Sequence, residues 1–418
     1  MMEFNNIAIS VDQLWLNMIQ DVFLAWWYII PPLLLVPLVP QAWLWWRQEM
    51  WEAKQQYIVL EITPPPVVEK PFKSMEQVMA NFWGIYSSLG LVKIISKWAK
   101  GRKMYYLSLE IACIKNEIRM YIRILKNHRD TVEASIYSQF PDAEIKEVYD
   151  YIENAPIQSP YGNWDLYGFD EMLIKPDVYP IKTYANFFEE KADQNREEKR
   201  IDPINALFEG LSKLKANEQI WLQFRIEPAT NNDNNYLDRG KKLIDRLTYR
   251  TAKNKNKQTE AESFLPPEMK LTAKEKETVN AIENKISKQI FQTAIRCIYF
   301  AEKSVYERGR RTLAEQFFSG FSTQDLNSMK KWKKTKTRIY NFFTNRRLFV
   351  RKRNIIRRYI MREIPLYPRA QGVKIFNTEE LATMFHFPIN SSYFMNTMSS
   401  ASKKGTAPAD LPFDNNNL

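Results

Sequence analysis

The chain has 418 residues, with 60 Lys and Arg against 48 Asp and Glu and a net charge of +12. The excess is local. Residues 326–362 hold 14 basic and no acidic residues, which leaves 46 basic against 48 acidic residues elsewhere. Two cysteines and two histidines, none with a second ligand at metal spacing, exclude a disulfide scaffold and a structural zinc finger. Cys113 and Cys297 read as buried thiols of a reducing compartment.

Residues 22–46 (VFLAWWYIIPPLLLVPLVPQAWLWW) form an uncharged run closed by Arg47. Roughly 20 apolar helical residues cross a bilayer, so a transmembrane segment is predicted. Trp26, Trp27 and Tyr28 at one end and Trp43, Trp45 and Trp46 at the other stand as membrane-anchoring aromatic belts, about 30 Å apart at helical rise. A buried core helix is the alternative. Pro31, Pro32, Pro37 and Pro40 require a bent or packed span, and leave a re-entrant hairpin open. Residues 1–21 carry Glu3, Asp12 and Asp21 and no Lys or Arg. The positive-inside rule therefore places this extracytoplasmic N-terminus outside and the body in the cytoplasm, as a single-pass inner-membrane protein. The missing basic flank excludes a cleaved signal peptide.

Residues 47–150 read as a first module. A strand at 57–62 stops at Pro64–Pro66; a helix follows at 74–89, with Ser74 as N-cap and Met75, Val78, Met79 and Phe82 at helical spacing. Two β-rich runs, 103–114 and 117–125, flank Lys115 and Asn116 as a hairpin. A helix at 128–140 and an alternating strand at 143–149 complete β-α-β-β-α-β, the ferredoxin-like split motif. Residues 151–163 are turn-rich. The pattern recurs over 164–395: a strand at 165–174, a helix at 203–214 with Pro at N1, a strand at 219–227, a helix at 235–247, a solvated insertion at 251–276, a strand at 288–302 and a helix at 305–318. A short strand at 373–376 and a helix at 378–385 capped by Thr378 close it. The predicted class is α+β: a transmembrane helix, then two ferredoxin-like modules, the second carrying a basic helical insertion at 326–362. Residues 396–418 are a polar, disordered tail or linker.

LEITPPPVVEKPFKSMEQVMANFWGI, SIYSQFPDAEIKEVYDY and FNTEELATMFHFP, followed by a Pro-containing linker ending in ADLP, resemble the membrane-anchored N-terminal region of conjugation-type (type IV secretion-like, TraG or VirD-type) DNA-transfer ATPases of uncultivated reduced-genome bacteria. The resemblance covers residues 55–412. It implies a membrane-proximal platform preceding a motor domain. Here the chain stops where that motor is expected, and no G-x-x-x-x-G-K-[ST] phosphate loop occurs. The implied ATPase activity is not carried over; a separately encoded motor ATPase is expected in trans, with a homo-oligomer if motor symmetry is shared.

No catalytic, cofactor-binding or metal-binding set emerges. Glu189–Glu190 and Glu197–Glu198 read as solvated surface, His128 as a helix-start residue and His386, between two Phe, as a packing position. The functional signal is the basic run. Lys330, Lys331, Lys333, Lys334, Lys336, Arg338, Arg346, Arg347, Arg351, Lys352, Arg353, Arg357 and Arg358 interleave with Trp332, Tyr340, Phe342, Phe343, Phe349, Ile355 and Ile356 as one or two amphipathic helices. Three roles compete: binding the phosphates of a lipid bilayer, binding those of DNA with aromatics for stacking, or a solvated helix face. The expected function is a non-enzymatic inner-membrane scaffold of a DNA-transfer apparatus that docks an ATPase. The alternatives are a membrane-tethered DNA-binding protein and, least favoured, a membrane enzyme with an unrecognised site.

Overall fold

In the computed structural model, residues 14–22, 24–25, 35–68, 70–85, 93–154, 162–187, 202–248, 271–339, 344–364, 373–389 and 394 are described. In chain order the elements begin α1 (Leu38–Glu52), β1 (Tyr57–Thr63), α2 (Pro71–Trp83), α3 (Lys93–Lys100), β2 (Leu107–Ile114), β3 (Glu117–Leu125), α4 (Arg129–Tyr137) and β4 (Glu144–Val148). There follow β5 (Trp164–Leu173), α5 (Pro203–Ser212), β6 (Glu218–Ala229), α6 (Tyr236–Leu247), α7 (Ala273–Ser287) and β7 (Ile290–Glu302). The last are α8 (Leu313–Ser319), β8 (Met329–Lys331), α9 (Thr344–Met361), β9 (Val373–Asn377) and α10 (Thr378–Met384).

Two compact units result, residues 1–56 with 87–103, and residues 57–86 with 104–418. In the first, α1 meets α3: Trp43 Nε1 donates to the Trp98 carbonyl at 3.2 Å, and Arg47 donates to the Ala99 carbonyl. Gly101 has φ +68, and a Cβ there would collide with the Arg47 backbone. This unit corrects the membrane expectation. Helix α1 starts at Leu38, with Pro37 at its N-cap, and continues through Arg47 and Glu49 to Glu52. Its uncharged part is residues 38–46 alone, under half of what a span requires. Among the described residues no helix is long and apolar enough to cross a membrane. A turn at Val36 and Pro37 precedes α1, and the inside–outside assignment, which rested on a span, is not supported. Trp43, Trp45 and Trp46 are exposed side chains of α1, while Trp26, Trp27 and Tyr28 lie outside the described residues.

The second unit is built on one antiparallel nine-stranded sheet, ordered β4-β1-β3-β2-β6-β7-β5-β8, with β9 also on β7. This replaces the two separate modules expected from the sequence. Strands β4-β1-β3-β2 have the order and directions of the split motif. Lys115 and Asn116 form its two-residue hairpin with φ 51 and 66, the positive values such a turn demands. β6-β7-β5 repeats the order of β2-β3-β1, but the last strand, β9, joins β7 rather than β5. The corresponding strands β2 and β6 pair antiparallel from Leu107↔Ile226 to Cys113↔Ile220, fusing both halves.

One face of the sheet carries Leu60, Leu109, Met120, Leu222, Phe224 and Phe291 and is covered by α2, α4, α5, α8 and α10. Helix α2 starts at Pro71 rather than at Ser74, and Asn377 rather than Thr378 caps α10 in a capping box with Glu380. Helix α7, capped by Thr272 and Glu275, begins within the stretch expected to be solvated; residues 251–270 of that stretch lie outside the described residues. So does the predicted disordered tail, 396–418.

The opposite face presents Val59, Ala112, Tyr121, Leu166, Trp221, Ile298 and Phe300, and these pack against Ile355 and Tyr359 of α9. The basic run is therefore not an insertion beyond the sheet. Its first part straps the edge strand β5: Trp332 N donates to Asp170 O at 2.8 Å and Thr337 N to Gly168 O at 3.0 Å. Thr337 Oγ1 and Thr335 Oγ1 accept the amides of Gly168 and Asp170. Its second part, α9, crosses the sheet face. Gly168 permits the approach, since a Cβ there would lie 3.0 Å from Ile355 Cδ1 and 3.1 Å from the Cys297 carbonyl. Gly168→Ala is expected to cost about 1–3 kcal/mol by overpacking, read as a lowered urea midpoint with an unchanged slope.

Candidate phosphate-binding surface

Helical periodicity divides α9 into two faces. Ile355 and Tyr359 are buried and Ile356 and Ile360 pack partly against the same cluster, which leaves Arg346, Arg353 and Arg357 on the opposite side, all exposed. Those three share one stripe about 16 Å long at helical rise.

The inward end is held by a buried ionic network. Arg362, in the left-handed region (φ 52) just past α9, turns its guanidinium back to Glu110 of β2. Its Nε donates to Glu110 Oε1 at 2.8 Å, while Nη1 and Nη2 fork onto Asp150 at 2.6 and 3.0 Å. Glu110 also accepts from Tyr151, Ser108 and Gln223, and Tyr151 and Tyr359 share a hydroxyl hydrogen bond at 2.8 Å. Arg296 of β7 binds Asp170 through Nε and donates to the carbonyls of Arg358 and Glu363. Gln223 donates to the Tyr359 carbonyl. The sheet thus supplies donors to carbonyls that a helix C-terminus leaves open. Arg358 closes the set on Asp170 at 3.0 Å. Three guanidiniums (Arg296, Arg358, Arg362) face three carboxylates (Glu110, Asp150, Asp170), so this core is neutral.

The thirteen candidate cations now separate. Arg358 belongs to the buried network. Lys331 pairs with Glu315 and Lys352 with Asp165. Arg351 donates to the carbonyls of Lys333 (3.2 Å) and Lys336 (2.8 Å). That pair of bonds places the strap and the N-terminal half of α9 side by side. Lys330, Lys333, Lys334, Arg338, Arg346, Arg347, Arg353 and Arg357 are exposed and Lys336 is half-buried. Of these nine, Lys330, Lys333, Lys334, Lys336, Arg346, Arg347, Arg353 and Arg357 form no salt bridge among the described residues. Burial, then the charges of Lys331, Arg338 and Arg311, hold Lys336 below the ordinary lysine range. Burial and Arg347 do the same to the Arg351 guanidinium. In both, loss of solvation comes first and neighbouring positive charge second, with Glu315 partly offsetting it at Lys336. Arg311, in ERGRRT, joins this field from outside the basic run. Its signal was a second, shorter cluster with Arg308 and Arg310, of which Arg310 is held by Glu218.

The aromatics do not follow the cations outward. Trp332 and Tyr359 are buried, Phe349 is half-buried, and Tyr340, Phe342 and Phe343 lie outside the described residues. The apolar side of α9 is likewise occupied by the sheet, so it is not open to acyl chains as an interfacial helix requires.

The His386–Asp202 pair is structural. His386 is buried, its Nε2 2.8 Å from Asp202 Oδ1 and its Nδ1 3.0 Å from the Ala382 carbonyl. Burial pushes the Asp202 carboxyl up, but His386 and the amides of Ile389 and Ile204 outweigh it and leave the group below its ordinary value. Among the described residues no group of His, Cys, Asp and Glu could hold a metal ion.

The fold and this surface together define an α+β protein that carries a cationic helix clamped to a neutral body. Residues 90–397 match the family described as Domain of unknown function (DUF8128), and the chain belongs to that family. No curated protein matches the sequence.

Two outcomes test the clamp. Removing Arg362 (Arg362→Met) strands the buried Glu110 and is expected to cost about 3–5 kcal/mol, measured by chemical denaturation. Burial, reinforced by Glu315, pushes Glu171 of β5, opposite Lys331 of the strap, up to about 8, from an ordinary 4.5. Between these values the folded chain keeps a proton that the unfolded chain releases, so its stabilising contribution is full below pH 4.5 and is lost as pH rises through about 8. Glu171→Gln should flatten that decline and leave a protein more stable than the parent at alkaline pH.

Proposed function

We propose that this protein is a non-catalytic DNA-binding adaptor, holding the phosphate backbone of duplex DNA on the strap and the outer face of α9 without reading its sequence. The observation that carries the reading is the contiguous set of Lys333, Lys334, Arg346, Arg347, Arg353 and Arg357, exposed and without carboxylate partners among the described residues, joined into one surface by Arg351. Arginine and lysine bind phosphate as charges, and Arg also as a fork. Trp332 and Tyr359 are committed to the core, so the described surface offers charge rather than a stacking platform, which favours duplex over single strands. The resemblance to DNA-transfer ATPases fits this role: the adaptor would hold DNA for a separately encoded motor, with assembly into a homo-oligomer following the motor's symmetry. Docking of the ATPase then stands second to DNA binding, because the cationic surface is visible in the fold and a docking face is not singled out.

Fluorescence anisotropy on duplexes of unrelated sequence, over a series of salt concentrations, checks this. Equal affinities and a steep linear fall of log K with log salt are expected. Arg353→Gln combined with Arg357→Gln should weaken binding about tenfold or more and reduce the slope by about 2, at roughly 0.9 for each phosphate no longer neutralised. Unchanged DNA affinity in the double variant would sink the proposal, as would binding to anionic vesicles with none to DNA.

A further inference from the structure

One carboxyl group beneath the strap has no counter-charge of its own. Glu171 of β5 is 4% exposed, and its Oε2 is shut off from water with no hydrogen-bond partner among the described residues. Across the ladder it is in register with Lys331 of β8, but the Lys331 ammonium is committed to Glu315 of α8. Glu315 also accepts from the Tyr167 hydroxyl at 2.9 Å. An ionised carboxylate with an unmet oxygen in such a place is costly, whereas the neutral acid is tolerated. Burial and then Glu315 favour the neutral form, Lys331 and the Met172 amide oppose it, and Asp170 adds a little to the first; the balance pushes the Glu171 carboxyl up to about 8. Asp170 itself is turned to the other face, onto Arg296 and Arg358. The Cys297 thiol of β7, pushed well up by burial and then by Glu171 and Glu315, stays neutral beside it. The element that covers this group is slight. β8 is an edge strand of three residues, paired over 171–173 and closed at its ends by Trp332 N to Asp170 O at 2.8 Å and Ile174 N to Ser328 O at 2.9 Å. Short edge segments of this kind open without the rest of the fold.

We infer that Glu171 is a proton-operated latch on the strap: its carboxyl is neutral when β8 lies closed on β5, and lifting β8 hydrates it and releases its proton to solvent. The sign follows from the two forms. Between the ordinary 4.5 and about 8 the closed form carries a proton that the open form lacks, so each pH unit favours opening about tenfold. Below that window both forms are protonated and above it neither is, so the dependence ends at both limits. Acid therefore holds the strap down and alkali frees it. The strap bears Lys330, Lys333 and Lys334, so proton loss loosens part of the cationic surface. That consequence for DNA rests on the function proposed above; the latch itself does not.

Hydrogen exchange of the full chain, followed by mass spectrometry and divided at each pH by the rate of the unstructured peptide, is the test. Opening of peptides that cover residues 328–332 is expected to rise about a hundredfold from about pH 6 to about pH 8 and to level off above. Low urea should leave this opening unchanged, while the amides of β6 and β7 follow global unfolding. Glu171→Gln keeps the shape but has no proton to lose, and should make β8 opening independent of pH. Glu315→Gln withdraws the neighbouring charge and frees Lys331, so the levelling-off should move to lower pH, a shift that lost packing alone does not produce. Saturating duplex DNA should slow β8 exchange in the parent and in Glu171→Gln alike; β8 exchange indifferent to DNA counts against the DNA reading and leaves the latch standing. Protection of β8 that is constant with pH, that keeps its slope in Glu171→Gln, or that is lost only together with β6 and β7 overturns the inference.

Discussion

The buried ion pair between Arg362 and Glu110 is the constraint on which the back of the sheet depends. Glu110 is wholly buried on a central strand, and a carboxylate there is tolerable only with full compensation. It receives a guanidinium fork, a tyrosine hydroxyl, a serine hydroxyl and a glutamine amide. The arginine comes from the residue just past α9, in a left-handed conformation that folds the chain back on itself. Such a network adds little net stability compared with an apolar core of the same shape. What it adds is position: α9 has one register on the sheet in which Arg362, Arg358 and the helix's last carbonyls all find partners.

The rest of the second unit can be read outward from that register. Gly168 lets Ile355 descend onto β5, and the strap that hydrogen-bonds to Gly168 and Asp170 covers the edge of the same strand. An open sheet edge invites association with other chains, and here polypeptide from the basic run closes it. Arg351 then ties strap to helix. Edge protection, helix docking and display of charge are three consequences of one segment's path.

Much of this was legible locally. Lys115–Asn116 announced a tight hairpin, Pro203 opened a helix at N1, and Ile355 and Ile356 stood among the cations at helical spacing. What failed did so for identifiable reasons. Residues 22–46 satisfy a hydropathy window, but the helix that forms starts at Leu38 and runs directly into Arg47 and Glu49. Helix α7 hides its buried positions Val279 and Ile282 and its partly buried Ile286 among charged residues, so the stretch around its start reads as solvated. Pairing of β2 with β6 joins segments about 110 residues apart, and strands bear no local mark of which neighbour they choose. Nor does a run of cations say which members point inward. Arg357 and Arg358 are adjacent and chemically identical, yet one is exposed and the other grips Asp170.

That division explains how a protein with a near-neutral body presents a basic face. The acids nearest the run, Glu110, Asp150, Asp165, Asp170 and Glu315, are all engaged with cations of the run's inner side. None of these five is left to neutralise the outer stripe, and the helix cannot rotate to offer a different one without breaking the buried forks. The outer arginines are therefore fixed in spacing by a rigid helix and fixed in charge by the exhaustion of local counter-charge. A surface built this way attracts polyanions in proportion to phosphate density and loses them to salt, since its strength lies in unscreened charge rather than in shape.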